Sequence, residues 1–177
     1  VIITKNGYDA AHTFIGEEHL AVGEKAAVIA SMLEQNYIGD FDNTDLADQM
    51  YSGMADVAAI TGDSSYIKAI DKIWDNIVSK KIYITGGIGA RHSGEAFGDN
   101  YELPNHSAYC ETCAAIGNVY MNYRLFLLHG DAKYFDVLER TLYNGLISGV
   151  SLDGGSFFYP NPLASNGGYS RKPWFGC

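Results

Sequence analysis

The sequence predicts a mainly α fold built from helical hairpins, with a few short strands confined to loops. Three observations predict it. Apolar residues recur at spacings of three and four over long stretches. A Gly-Asp turn flanked by such stretches occurs twice. The segments that break the pattern are short and rich in Gly or Pro.

The elements follow in chain order. A first helix is expected from Leu46 to Ile60, ended by Gly62. Asp63 is the expected N-cap of a second helix, whose stripe comprises Tyr66, Ile67, Ile70, Ile73, Trp74, Ile77 and Val78. Ile82 to Thr85 reads as a short strand, followed by a Gly-rich loop from Gly86 to Gly98. A third helix should run from about Cys113 to Leu128 and stop at Gly130. Asp131 then caps a fourth, from Ala132 to about Ile147. After the turn Asp153-Gly154-Gly155, Phe157-Phe158-Tyr159 reads as extended, because Pro160 and Pro162 exclude a helix there.

The two hairpins echo each other. Gly62-Asp63-Ser64-Ser65-Tyr66-Ile67 recurs as Gly130-Asp131-Ala132-Lys133-Tyr134-Phe135, and Asp71 and Asn76 fall opposite Glu139 and Asn144. A hairpin of this kind buries its stripe only against neighbours. Stacked copies give an open α-solenoid or a closed α/α barrel, and periodicity does not choose between them.

With 177 residues, 47% of them apolar, the chain has material for one globular domain. No apolar run reaches the length of a membrane span. Val1-Ile2-Ile3-Thr4-Lys5 lacks the layout of a signal peptide, so the cytoplasm is the favoured compartment, and the missing initiator Met suggests a piece of something longer. A net charge of −9 argues against a nucleic-acid partner. Thirteen Tyr and eight Phe suit sugar stacking, but ordinary core packing is the better reading of them.

Three cysteines, Cys110, Cys113 and Cys177, are too few and too late in the chain for a disulfide framework. Cys110-Glu111-Thr112-Cys113 is a C-x-x-C, open to three readings: a redox pair at a helix N-terminus, part of a zinc site of thiolate and carboxylate, or two small buried residues. Glu111 and Cys113 diverge inside a regular helix, so both reach one metal only where the helix begins. In the Gly-rich loop, Gly86-Gly87-Ile88-Gly89 lacks the spacing and the following helix of a dinucleotide site. The loop is either a flexible connection or a substrate loop carrying Arg91, His92 and Glu95. His106 is a loop residue within reach of a ligand or base role; His12, His19, His92 and His129 show no metal-ligand spacing.

Several stretches together carry a resemblance: Tyr83-Ile84-Thr85-Gly86-Gly87-Ile88-Gly89, Glu95, Leu103-Pro104-Asn105, Glu111-Thr112-Cys113, Leu142-Tyr143-Asn144-Gly145, Ser151-Leu152-Asp153-Gly154, Phe158-Tyr159 and Trp174-Phe175-Gly176-Cys177. From Tyr51 onward the chain resembles the bacterial β-L-arabinofuranosidases of glycoside hydrolase family 127 and relatives; residues 1–50 match poorly, lacking a His and an Arg near the sugar. The resemblance implies that residues 1–177 form a fragment of a larger catalytic α/α barrel (toroid). It implies retaining hydrolysis of terminal β-L-arabinofuranose, with a zinc-bound cysteine as nucleophile. By position, Glu95 matches the acid/base, Glu111 and Cys113 two zinc ligands, and Glu139 and Tyr159 substrate contacts. Cys177 matches the first cysteine of a Cys-x-Cys-Cys cluster, which places the nucleophile beyond it. Cys110 is not counted as a ligand. The expected partner is a small-molecule or oligosaccharide substrate, with no nucleic acid and no membrane; a homo-oligomer is compatible. The alternative function is a helical-repeat binding module holding a structural zinc, or a thiol redox pair.

Overall fold

The computed structural model of the chain describes residues 44–174; the segment before Thr44, and Cys177 with its two predecessors, lie outside the described residues. Among the described residues, four α-helices carry the fold: α1 (Thr44–Thr61), α2 (Ser64–Lys80), α3 (Thr112–His129) and α4 (Ala132–Arg140). They form two hairpins, α1–α2 and α3–α4, and α1 packs along α3.

Both hairpin turns have the same chemistry. Gly62 and Gly130 take φ of 68° and 69°, a region closed to most side chains. The next residue then caps the new helix: the Asp63 carboxylate accepts from the Ser65 amide at 2.9 Å, and that of Asp131 from the Lys133 amide at 3.0 Å. The sequence echo is thus an echo of structure at both turns.

One core joins the hairpins. Tyr51, Met54, Ala55 and Ala58 of α1 meet Tyr66, Ile70, Ile73, Trp74 and Ile77 of α2, Ala114, Met121 and Leu125 of α3, and Tyr134 and Val137 of α4. Burying side chains of the size of Ile70 and Ile73 contributes about 2 kcal/mol each. Inside it runs a polar thread. Trp74 Nε1 donates to Asn122 Oδ1 at 2.7 Å, and Asn122 Nδ2 donates to Asn118 Oδ1 at 2.7 Å. Asn118 Nδ2 donates to Thr141 Oγ1 at 3.2 Å, and Thr141 Oγ1 donates to the Gly86 carbonyl at 3.1 Å. In a dry interior each of these groups needs its partner, so the thread fixes the register of α2, α3 and the Gly86 loop.

Three departures from expectation share one cause. Ile82 to Thr85 is not a strand but a tight turn, in which the Gly86 amide donates to the Tyr83 carbonyl at 2.8 Å and the Tyr83 amide to Gly87 at 2.9 Å. The stretch from Gly86 to Ala90 is buried, which overturns its reading as a flexible connection. The fourth helix leaves α geometry at Arg140, widens into a π turn from Thr141 to Leu146, and ends in a 3₁₀ turn, Ile147–Gly149. The common cause is that the π turn wraps the Gly86 loop. A Cβ on Gly86 would lie 2.6 Å from Thr141 Cα, and one on Gly145 would lie 3.2 Å from the Gly87 amide nitrogen. A widened turn accommodates a backbone that a straight helix would strike.

Beyond the helices, Ser156–Phe157 (β1) and Lys172–Pro173 (β2) form a two-residue antiparallel pair, so the expected extended run near Phe157 is present. On α3, Tyr120, Tyr123 and Leu127 are exposed at helical spacing, with Ile116 partly exposed one turn earlier. Among the described residues no helix is long and apolar enough to cross a membrane.

Candidate functional site

Three chain segments lie side by side where α3 begins. The centre is 109–112. The Tyr109 and Cys110 amides both donate to the Gly89 carbonyl, at 3.1 and 2.9 Å. On the other flank the Thr112 amide donates to the Tyr159 carbonyl at 3.0 Å, Thr112 Oγ1 donates to the Phe158 carbonyl at 2.6 Å, and the Asn161 amide donates to the Tyr109 carbonyl at 3.0 Å. The Asn161 side chain adds bonds from Nδ2 to the Cys110 carbonyl and to Thr112 Oγ1, both 3.0 Å. These pairings set Tyr159 beside Glu111.

Glu111 is the N-cap residue of α3, in extended backbone, and 2% exposed. Thr112 opens the helix and Cys113 follows in its first turn, 7% exposed. The divergence expected of residues two apart in a regular helix is therefore avoided, because Glu111 precedes the helical geometry. The α3 N-terminus also favours negative charge at this spot.

Glu95 arrives on a tight hairpin. Arg91 and Ala96 exchange two backbone hydrogen bonds, of 3.1 and 3.0 Å. Between them Gly94 and Glu95 both take positive φ, 73° and 53°. For a glutamate that conformation is uncommon and costs about 1–3 kcal/mol, and such strain concentrates at functional positions. Arg91 is held within its own loop. Its guanidinium grips both carboxylate oxygens of Glu102 and donates to Asp99 Oδ2 at 3.0 Å, locking the hairpin base.

The side chains converge through two tyrosines. Tyr109 donates its hydroxyl to Glu95 Oε1 at 2.8 Å. Tyr159 hydrogen-bonds Glu111 through its hydroxyl, and it feels the charges of Glu95 and Cys113 as well. The two rings meet edge to face at 6.2 Å, and His92 packs edge-on against Tyr109 at 4.7 Å. Burial, then the hydrogen bond to Glu95, pushes the Tyr109 hydroxyl above the ordinary phenol range. Burial and the Glu111 bond do the same for Tyr159. Both hydroxyls therefore stay protonated and act as donors to carboxylates.

Of the residues singled out from the sequence, Glu95, Glu111, Cys113 and Tyr159 come together. Glu139 does not join them: it lies exposed on α4, and none of the cluster's side chains bonds to it among the described residues. His106 sits exposed in the loop before α3. Cys110 turns away from Cys113 into a small cluster with Tyr83, Ala90 and Ala108. Burial pushes its thiol up to about 12, so it is a packing residue and a poor partner for thiol exchange. Two contributors went unassigned in the sequence. Tyr109 stood next to the C-x-x-C motif but had no role, and Asn161 gave only the loop signal of its flanking prolines.

Among the described residues no group of three or more His, Cys, Asp or Glu side chains converges closely enough to hold a metal ion. Glu111 and Cys113 are nonetheless donors of the kind zinc takes, both buried at an irregular helix start. They suit two positions of such a site.

Comparison with known proteins gives a consistent result. The profile of the β-L-arabinofuranosidase, GH127 catalytic domain matches residues 5–177, a span that includes most of the segment before Met50. The non-reducing end β-L-arabinofuranosidase of Bifidobacterium longum subsp. longum is 37% identical over 137 residues, covering 71% of this chain and 21% of that protein. The solved structure of a GH127 β-arabinofuranosidase is 91% identical and superposes with a TM-score of 0.74, over 76% of this chain and 21% of its own. Ara127N, a GH127 β-L-arabinofuranosidase from Geobacillus stearothermophilus T6, is 48% identical with a TM-score of 0.67, over 68% of this chain and 19% of its own. The chain thus spans about a fifth of the length of these relatives.

Proposed function

The chain belongs to the β-L-arabinofuranosidase, GH127 catalytic-domain family, and from that premise we propose that it supplies the acid/base half of a retaining glycosidase site acting on terminal β-L-arabinofuranose. The observation that carries the reading is the meeting of Glu95 with Glu111 and Cys113 around the hydroxyls of Tyr109 and Tyr159. Four residues matched to the family by sequence position alone are neighbours in space, although they come from three separate segments.

In this reading Glu95 is the general acid/base. It protonates the glycosidic oxygen as the bond to the anomeric carbon breaks, then takes a proton from the water that completes hydrolysis. The nucleophile is a cysteine thiolate beyond Cys177. Bound by Glu111, Cys113 and cysteines outside the described residues, zinc would keep that thiol deprotonated and oriented at neutral pH. Tyr159 holds the Glu111 carboxylate and faces the sugar; for Glu139, which stands apart from this cluster, a sugar contact rests on the family resemblance alone. The two helical hairpins form part of an α/α barrel whose remaining helices cover the exposed stripe Tyr120, Tyr123 and Leu127.

The test is hydrolysis of an aryl β-L-arabinofuranoside by a polypeptide that contains the chain and continues past Cys177, with zinc measured in the same preparation. Turnover that falls at least 100-fold in Glu95→Gln is expected, since a positioned acid/base contributes about 10²–10⁴-fold. Full activity in Glu95→Gln, or full activity and no zinc in Cys113→Ala, would sink the mechanism.

A further inference from the structure

We propose that Tyr109 is a positioning residue for Glu95: its hydroxyl donates to Oε1 and holds the carboxyl in the orientation from which it transfers its proton. The proposal rests on the acid/base reading of Glu95.

The backbone of Glu95 is set by its hairpin, but a glutamate side chain still has three rotatable bonds. The bond from the Tyr109 hydroxyl to Oε1, 2.8 Å long, is a direct contact from α3's approach segment to the Glu95 carboxyl. Tyr109 is itself held hard. Its amide donates to Gly89 and its carbonyl accepts from Asn161, and its ring is wedged edge-on by His92 at 4.7 Å and Tyr159 at 6.2 Å. A donor fixed at backbone and ring makes a rigid peg for a flexible carboxyl, and such support is how a reacting group is held near its productive geometry. In the first step the carboxyl O–H bond of Glu95 breaks, the proton passes to the glycosidic oxygen, and that oxygen keeps the electron pair of its broken bond to the anomeric carbon while a thiolate forms the new bond. In the second step the Glu95 carboxylate accepts a proton from water, whose oxygen replaces sulfur on carbon, and the thiolate leaves.

The test compares Tyr109→Phe with Glu95→Gln in the extended polypeptide on two substrates. 4-Nitrophenyl β-L-arabinofuranoside has a leaving group that departs without protonation, whereas methyl β-L-arabinofuranoside needs the acid. If Tyr109 positions the acid, Tyr109→Phe loses about 10–100-fold in kcat/KM on the methyl glycoside, part of what the acid itself supplies. It then stays within about threefold in kcat/KM on the nitrophenyl glycoside, because kcat/KM reports the first step and not the water attack that both substrates share. Equal losses on the two substrates, or no loss on the methyl glycoside, would overturn it. Should the Phe variant melt early, 3-fluorotyrosine at position 109 decides the question, because it keeps ring and hydroxyl. Near-normal turnover of the methyl glycoside supports the positioning role, and a loss as large as that of Phe counts against it. A Glu95→Gln variant as active as the parent on both substrates would instead refute the underlying reading of Glu95.

Discussion

Replacing Gly86 with alanine tests how tightly the π turn grips the loop beneath the site. Two penalties combine. Gly86 sits at φ 85°, where an L side chain costs about 1–2 kcal/mol. The new Cβ would also lie 2.6 Å from both the Cα and Oγ1 of Thr141 and 2.7 Å from its amide nitrogen. Most of that wall is backbone, so it does not yield by a rotamer change, and overpacking of this kind costs about 1–3 kcal/mol. The expected destabilisation is therefore about 2–5 kcal/mol, obtained from urea unfolding followed by the fluorescence of buried Trp74. Gly130→Ala is the internal control. It has φ 69° and nothing within 4 Å of its Cβ, so it should show the conformational cost alone, about 1–2 kcal/mol. If the two variants unfold at the same urea concentration, with equal slopes, the close packing of Gly86 on Thr141 is refuted.

Three more outcomes are expected. The Cys110 thiol has its titration raised from an ordinary value near 9 to about 12 by burial, so the unfolded chain loses this proton first; this group's contribution to stability should be lost between pH 9 and 12, by at most about 1.4 kcal/mol per pH unit, and Cys110→Ala should remove that share, read most cleanly between pH 9 and 10 before the buried tyrosines add their own loss in a pH series of melts. Hydrogen bonds from Arg91 hold the Glu102 carboxyl below its usual range, so its contribution is present above that range and is lost as pH falls through the lowered value; Glu102→Gln should remove this part of the acid sensitivity, read by hydrogen exchange at the 91–96 hairpin. Asn122→Ala leaves the buried Trp74 Nε1–H without its acceptor and should cost about 1–3 kcal/mol, with a changed near-UV circular dichroism band for Trp74; an unchanged melt would show that the polar thread does not hold the helices in register.

What was legible in the sequence was what local chemistry decides. Asp63 and Asp131 cap their helices because a carboxylate and the amide two residues on suffice, and Gly62 and Gly130 end theirs because few other residues tolerate positive φ. The π turn was not legible, since Leu142-Tyr143-Asn144-Gly145 continues a helical pattern; only the Gly86 backbone, far away in sequence, requires the widening. For the same reason Ile82 to Thr85 read as a strand: its apolar residues suit one, and the turn is imposed by packing against Thr141. At the site, Glu95, Glu111, Cys113 and Tyr159 were found through motif resemblance. Tyr109 and Asn161 were hidden because their roles exist only between segments, and a tyrosine or asparagine beside a loop advertises nothing.

The three-segment construction of the site bears on when it comes into being as the chain folds. The helical hairpins close over short distances along the chain, but the Asn161 side chain reaches Cys110 and Thr112 across 51 and 49 residues, and Thr112 reaches Phe158 across 46. Contacts of that span form slowly, because loop closure must be completed before they contribute. The Tyr109–Glu95 bond spans only 14 residues and can form earlier. Glu95 should therefore find its tyrosine while Glu111 still waits for Tyr159, so that recovery of secondary structure runs ahead of recovery of the assembled cluster during refolding.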